Sequence, residues 1–383
     1  MTDETPAPEP RIPWEQAPVD RRKDHLGGIF VDRDETRRVF AAIDQARADR
    51  ARYPEARNVV IVGDTGVGKS EIAKRYLAQN PERIDPETGT VVRPVFYMEV
   101  RNSSTPKAVA TAAMRHLLRR GGIDDPNDPD GERLTEEQED GEKGRYAAVG
   151  VPDLTYAVKQ QMVGQRVEVA FLDEFHNTVT DNGAVRLNRI AEWVKDFAKS
   201  KRRTARLPNG RPEENIVFVL IGIKRKINAI IDAAVNEELA SITPYRVEIG
   251  RYRYVTQAEK DEFRQFLDDL DLQLPFDVDS ALGQPDLADK LHVATFGLLR
   301  QVALIVTKAA EIAIDDGSPN IQEHHLHQAV ELLPGTLESS LMSSDGRVVG
   351  NGKDEKRKAV ANPFKAPLLP KAPTPRVRGG YQG

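Results

Sequence analysis

Residues 58–77 read as a single strand–loop–helix unit, and no other stretch restricts the fold as strongly. Asn58-Val59-Val60-Ile61-Val62 is an apolar, β-branched run. It enters Gly63-Asp64-Thr65-Gly66-Val67-Gly68-Lys69-Ser70, a complete G-x-x-x-x-G-K-S loop, which opens onto Glu71-Ile72-Ala73-Lys74-Arg75-Tyr76-Leu77. Such a loop has meaning only between a buried strand and the helix it starts. Its glycines let backbone N–H groups converge on phosphate oxygens where a side chain would block the approach. The helix adds the positive end of its dipole. Residues 63–70 are therefore expected to bind the phosphates of ATP, with Lys69 reaching the β- and γ-phosphates and the Ser70 hydroxyl ligating Mg²⁺.

About a hundred residues on, Val167-Glu168-Val169-Ala170-Phe171-Leu172 has the pattern of a mostly buried strand and ends in Asp173-Glu174. Alone, two acids at a strand end are solvated charge. Paired with a phosphate loop, they read as the other half of a hydrolytic site: Asp173 on the metal side, Glu174 polarising the attacking water.

Composition narrows the remaining classes. The chain has 383 residues, 39% hydrophobic and 30% charged, enough for a core and more than one domain. Aromatics are 6%, which argues against a long stacking platform for single-stranded nucleic acid. The net charge of −5 leaves any DNA contact to local patches. The absence of cysteine excludes disulfides and thiolate chemistry and fits a cytoplasmic location. Residues 1–13 are acidic and Pro-rich without an apolar stretch, so no signal peptide is expected. The longest apolar run, 216–221, is far too short to span a bilayer.

Periodicity places a helix over 31–52, with Val39, Phe40, Ile43 and Ala46 on one side, and a strand over 91–100. Ser104-Thr105-Pro106 starts a helix running to about 120. Residues 121–145 are an expected mobile acidic insertion. Helices near 153–162 and 185–200, a basic loop over 199–214, and strands over 215–222 and 246–249 follow. From 256 the pattern is helical: 257–270, 285–295, 297–315 and 321–333. The expected class is α/β, a parallel sheet flanked by helices with a C-terminal helical domain. The expected division is a flexible segment 1–24, a core 25–255, a helical lid 256–335, and a disordered, basic, Pro-rich tail 336–383.

The order of motifs then becomes specific. Asp173-Glu174-Phe175-His176-Asn177, Leu220-Ile221-Gly222-Ile223-Lys224-Arg225 and Glu238-Leu239-Ala240-Ser241 follow the phosphate loop in turn. Over roughly residues 25–335 the series resembles the TniB/TnsC family of AAA+ ATPases, which regulate target choice in DDE transposons. The resemblance implies that Arg300, in Gly297-Leu298-Leu299-Arg300, touches the γ-phosphate from the same subunit. It also implies that His176 orients the two acids. Two positions depart from the family. Its polar strand-end residue is Ile223 here, and the arginine of its L-A-S-R-F segment falls on Ile242. Arg246 or Arg251 is left to act as an arginine finger across a subunit boundary, and hydrolysis is expected to be slow or stimulated by a partner.

The leading functional expectation is an ATPase that forms a homo-oligomer, ring or filament, on duplex DNA. By the resemblance it recruits a DDE transposase and a target-selection adaptor, without a membrane. Phosphate contacts are expected from Arg101, Asn102, Ser103, Thr105 and Lys107, or from Lys201, Arg202 and Arg203, groups that read equally as solvated surface. Two alternatives stand beside it: a signalling or scaffold NTPase, and an origin-type or helicase-loader ATPase. The loader is expected to carry a winged-helix domain, for which 336–383 is too short and too polar. His324-His325-x-His327 reads as a polar helix start and not a metal site. In the tail, residues 363–370 concentrate Phe and Leu between prolines, which suits either docking on another transposition protein or plain solubilisation.

Overall fold

The computed structural model describes residues 13–50, 52–53, 55–101, 105–118, 148–178, 193–194, 215–231, 237, 239–333 and 362–365. Contacts divide the chain into two units. One holds residues 34–64 and 68–249; the other holds 1–33, 65–67 and 250–383.

After α1 (Val19–Leu26), which belongs to the second unit, the first unit begins with α2 (Asp34–Asp49), β1 (Val59–Gly63) and α3 (Lys69–Ala78). A small antiparallel hairpin of β2 (Arg83–Ile84) and β3 (Val91–Val92) comes next. Then follow β4 (Val95–Glu99), α4 (Pro106–Leu118), α5 (Val151–Gly164), β5 (Val169–Asp173), β6 (Val217–Gly222), α6 (Lys224–Ile231) and β7 (Tyr245–Ile249). Five strands form one parallel sheet in the order β4-β5-β6-β1-β7. The three central strands are buried at every residue, which is why they read as unbroken apolar runs rather than alternating ones. β7, at an edge, alternates instead. Phe96, Met98, Leu172, Phe218 and Leu220 pack with Ala113, Leu117, Leu154 and Val158 of α4 and α5. Val39, Ile43 and Ala46 of α2 are fully buried, as their spacing requires.

Parallel register brings all five C-terminal strand ends to one edge, where such sheets bind ligands: Glu99 pairs with Asp173, Leu172 with Leu220, Val62 with Gly222, and Gly63 with Ile249. Asn58, fully buried, sets this register from below. Its side-chain oxygen accepts from Phe218 N at 2.9 Å and its N–H donates to Ile242 O at 2.7 Å.

The strand expected over 91–100 is two strands in two sheets. Pro94 has no N–H to give, and its carbonyl instead accepts from Glu168 N and Val169 N at 2.9 and 3.2 Å. Val91 and Val92 pair with the hairpin, and only residues 95–99 join the main sheet.

The second unit contains α1, α7 (Gln257–Asp271), α8 (Pro285–Thr295), α9 (Leu299–Asp315) and α10 (Glu323–Leu332) around Phe263, Leu267, Leu291, Ile305, Ala309 and Leu326. Thr256 starts α7 with a full capping box, its hydroxyl taking Glu259 N while Glu259 reaches back to Thr256 N. Among the described residues no single helix is long and apolar enough to cross a membrane.

Residues 13–24, expected to be flexible, are ordered onto this unit. Trp14 N and Glu15 N donate to the Asp277 carboxylate at 3.2 and 2.8 Å. Arg22 donates to Pro275 O at 3.1 Å and lies 5.0 Å over the Phe276 ring. The segment is polar in sequence because its anchors are charged groups and backbone donors rather than an apolar stripe. The tail also departs from expectation at one point: Pro363–Lys365 is a 3-10 turn that buries Phe364 in this same core. The insertion 121–145, the basic loop 199–214, the rest of the tail, and the 185–200 helix except buried Trp193 and Val194 lie outside the described residues.

Candidate nucleotide-binding site

The phosphate loop leaves β1 and ends at Gly68, whose φ of 93° is the left-handed conformation that lets the chain turn into α3. Lys69 is the first residue of α3 and only 6% exposed. Its ammonium is folded back on the loop, donating to Gly63 O at 3.0 Å and Asp64 O at 2.8 Å. Burial lowers its pKa, while the charges of Glu174, Asp173 and Asp64 oppose that shift. Ser70 is the next helical residue, half-buried in the first turn, where backbone N–H groups lack intrahelical partners.

At the end of β5 every residue of the Asp-Glu-Phe-His-Asn run has a distinct place. Asp173 is buried; one carboxylate oxygen accepts from Tyr97 Oη at 2.8 Å and the other from Glu174 N at 2.8 Å. Glu174 has a φ of 51°, a strained left-handed backbone for a residue with a side chain. Burial raises its carboxyl above the ordinary value, the neighbouring Asp173 charge adds to this, and Lys69 opposes it. Phe175 is fully buried and anchors the turn in the core. Asn177 Nδ2 donates to Val100 O at 2.9 Å, tying the run to the end of the neighbouring strand.

His176 is buried, and Nδ1 lies 3.2 Å from Glu174 Oε2 and 3.4 Å from Ile223 N. One nitrogen cannot serve both: in one tautomer it donates to Glu174, in the other it accepts from Ile223. Burial, with the Lys226 and Lys69 charges, pushes its pKa down to about 4, so the ring is neutral at neutral pH. Gly222 makes room for it, since a Cβ there would sit 2.8 Å from Nδ1.

In the helical unit, Arg300 N donates to Gly66 O at 2.9 Å, and a Cβ on Gly66 would lie 3.2 Å from Arg300 Cβ. The Arg300 side chain is exposed at the start of α9. Gly297 shapes that start: its φ is 66°, its carbonyl accepts from Tyr252 N at 2.9 Å, and a Cβ would fall 2.0 Å from Tyr252 O. Arg33, buried, donates to Val67 O at 3.2 Å.

Other expected site residues fall as follows. Ile242 is a core residue, which accounts for the missing arginine there. Arg246 is exposed as the second residue of β7, opposite Val60 and three residues short of the strand end. Arg251 is half-buried. Arg101 and Thr105 are exposed and Lys107 half-buried after β4; the Thr105 hydroxyl caps α4 by accepting from Ala108 N at 3.2 Å. Asn102, Ser103, Lys201, Arg202 and Arg203 lie outside the described residues.

His324 and His325 gather with Asp316. His325 Nδ1 accepts from Gln322 N at 2.9 Å, so Nε2 carries the proton it shares with Asp316 at 2.8 Å. A metal on Nε2 needs Nδ1 as a donor, which the capping bond forbids, so the cluster is the helix start its sequence suggested. Sequence reasoning missed Tyr97 and Arg33, because only strand register and chain folding bring them to Asp173 and Val67.

Residues 52–230 match the family model described as AAA domain. Comparison with curated proteins yields no match. Among solved structures, the chain is similar to Cdc6p from Pyrobaculum aerophilum at 12% identity and a TM-score of 0.50, over 81% of this chain and 70% of that one. It is similar to the ORC2 protein of Aeropyrum pernix, solved as ADPNP–ADP complexes, at 14% identity and a TM-score of 0.49, over 79% and 68%. The ORC1 protein of Aeropyrum pernix in complex with DNA matches at 17% and 0.47, over 81% and 68%. These are likenesses of fold. The five-stranded parallel sheet with flanking helices and an intact phosphate loop thus belongs to a chain that is similar to the AAA domain over residues 52–230.

Proposed function

We propose that this chain is an ATPase that assembles with ATP on duplex DNA and recruits or activates a DDE transposase for target-site selection. The observation that carries the hydrolytic part is the pairing of two strand ends. β6 separates β1 from β5, so the phosphate loop and Asp173-Glu174 stand two strand spacings apart, about 10 Å. That gap accommodates a phosphoryl group and an attacking water between Lys69 and Glu174.

In this reading residues 63–70 bind the triphosphate. Lys69 gives up its bonds to Gly63 O and Asp64 O and donates to the β- and γ-phosphates, which restore the charge partner that burial denies it. Arg300, held beside Gly66, reaches the γ-phosphate. Glu174 accepts a proton from the attacking water, and its raised pKa makes it a stronger base than a surface carboxylate. His176 donates to Glu174 and so orients it. The donor set fits Mg²⁺, a hard cation that keeps several waters: the Ser70 hydroxyl would ligate it and Asp173 would hold one of its waters. When bound, the metal neutralises charge on the β- and γ-oxygens.

Assembly and DNA binding rest on the order of motifs shared with the transposition regulators, with Arg246 or Arg251 reaching a neighbour's nucleotide and Arg101, Asn102, Thr105 and Lys107 meeting phosphates. A second reading, an origin-type or loader ATPase, is favoured by the fold likeness to Cdc6p. Electron microscopy of the protein with ATP and duplex DNA, followed by transposase pull-down, separates them. An ATP-dependent DNA-bound oligomer that retains the transposase supports the first; one that retains a helicase instead supports the second.

A further inference from the structure

Tyr97 stands in the middle of β4, between Phe96 and Met98, which pack into the core with α4 and α5. Strand alternation sends Tyr97 to the other face of the sheet, the face that α3 covers. Its register partner there is Phe171, whose ring lies 5.7 Å from that of Tyr76 on α3. From this place the Tyr97 hydroxyl donates to Asp173 Oδ2 at 2.8 Å, while Asp173 Oδ1 accepts from Glu174 N at 2.8 Å. Asp173 is 1% exposed, so protein donors stand in for the water that its charge would otherwise hold. The bond from Glu174 N comes from the next residue of the same chain segment. The phenol comes from a neighbouring strand, and a phenylalanine there would fill the same space without donating.

We propose that Tyr97 is a positioning residue that holds Asp173 as a one-point, water-mediated partner of Mg²⁺ and so biases the site against Ca²⁺. The proposal rests on the reading of Asp173 as the metal-side carboxylate. A carboxylate accepts along about four lone-pair directions, two on each oxygen. With a donor fixed on each oxygen, Asp173 can close on a cation with both oxygens only by turning and giving up a bond. Ca²⁺ gains most from bidentate carboxylates in a flexible shell. Mg²⁺ sheds water reluctantly and is better served by a carboxylate held still for one of its waters. Hydrogen bonds that orient a metal-holding group in this way are worth about 10–100-fold in metal affinity.

The test uses the full chain as wild type, Tyr97→Phe and Asp173→Asn. A fluorescent ATP analogue is titrated in EDTA and then at rising Mg²⁺ or Ca²⁺. Tyr97→Phe should bind the analogue in EDTA as wild type does, because the phosphate loop is untouched. It should need about tenfold or more Mg²⁺ for half-maximal tightening. Its Ca²⁺ requirement should rise by less, narrowing the preference for Mg²⁺. Asp173→Asn separates the two readings. If it leaves the Mg²⁺ requirement unchanged, Asp173 is not on the metal side and the role of Tyr97 falls with it. If Asp173→Asn raises the requirement and Tyr97→Phe does not, the role of Tyr97 alone is overturned. An equal rise for both ions would overturn the bias, and loss of binding in EDTA would make Tyr97 a packing residue.

Discussion

Lys69 and Glu174 are each held by local contacts that ATP would have to rearrange, which makes single substitutions informative. Lys69→Ala removes the one buried cation of the loop and should abolish ATP binding in a fluorescent-nucleotide titration. Glu174→Gln should preserve binding and slow hydrolysis about 100-fold or more, trapping the ATP-bound state; a wild-type rate would refute the assignment. The raised Glu174 carboxyl protonates above the ordinary range, so the wild-type rate should fall with decreasing pH before it reaches about 4.3. His176 gives a separate signature. Its folded pKa of about 4 lies below the unfolded 6.5, so its stabilising contribution is intact above pH 6.5 and is lost as pH falls toward 4, by up to about 3 kcal/mol. Urea unfolding followed by Trp193 fluorescence in a Trp14→Phe background should show about 2 kcal/mol of that loss between pH 7.5 and 5, and His176→Gln should show less of it.

Helices and strands follow local rules wherever their ends are built from local chemistry. The α4 start was legible in Thr105-Pro106, because capping involves residues three or four apart, and the same chemistry operates at the capping box of Thr256 with Glu259. Thr256→Ala should lower stability by about 1 kcal/mol in the same urea assay. Gly297 is a different case, since its requirement comes from Tyr252, far away in sequence. Gly297→Ala would place a methyl on the Tyr252 carbonyl and should destabilise the helical unit by several kcal/mol. It should also weaken ATP binding, because Arg300 N no longer meets Gly66 O. The break at Pro94 was likewise readable in principle, yet the apolar run around it concealed that the two halves serve different sheets.

At the scale of the whole molecule, the proposed assembly predicts DNA binding that needs ATP, tolerates sequence and weakens with salt. Arg101→Ala with Lys107→Ala should reduce the salt slope by about one for each phosphate contact removed. An unchanged slope would take that helix start out of the interface.

The strand–loop–helix unit, the Asp-Glu strand end, the parallel α/β class and the run of C-terminal helices were all readable from residue order, because each depends on contacts within a few positions or on periodic burial. Other features needed the folded chain. Tyr97 reaches Asp173 only through the pairing of β4 with β5, and Arg33 reaches Val67 across an intervening helix. The polar N-terminal segment and Phe364 of the tail join the helical unit through Asp277, Pro275 and the α8–α10 cleft. Such contacts are set by long-range register and by charged or backbone partners, and neither leaves a periodic trace in the sequence.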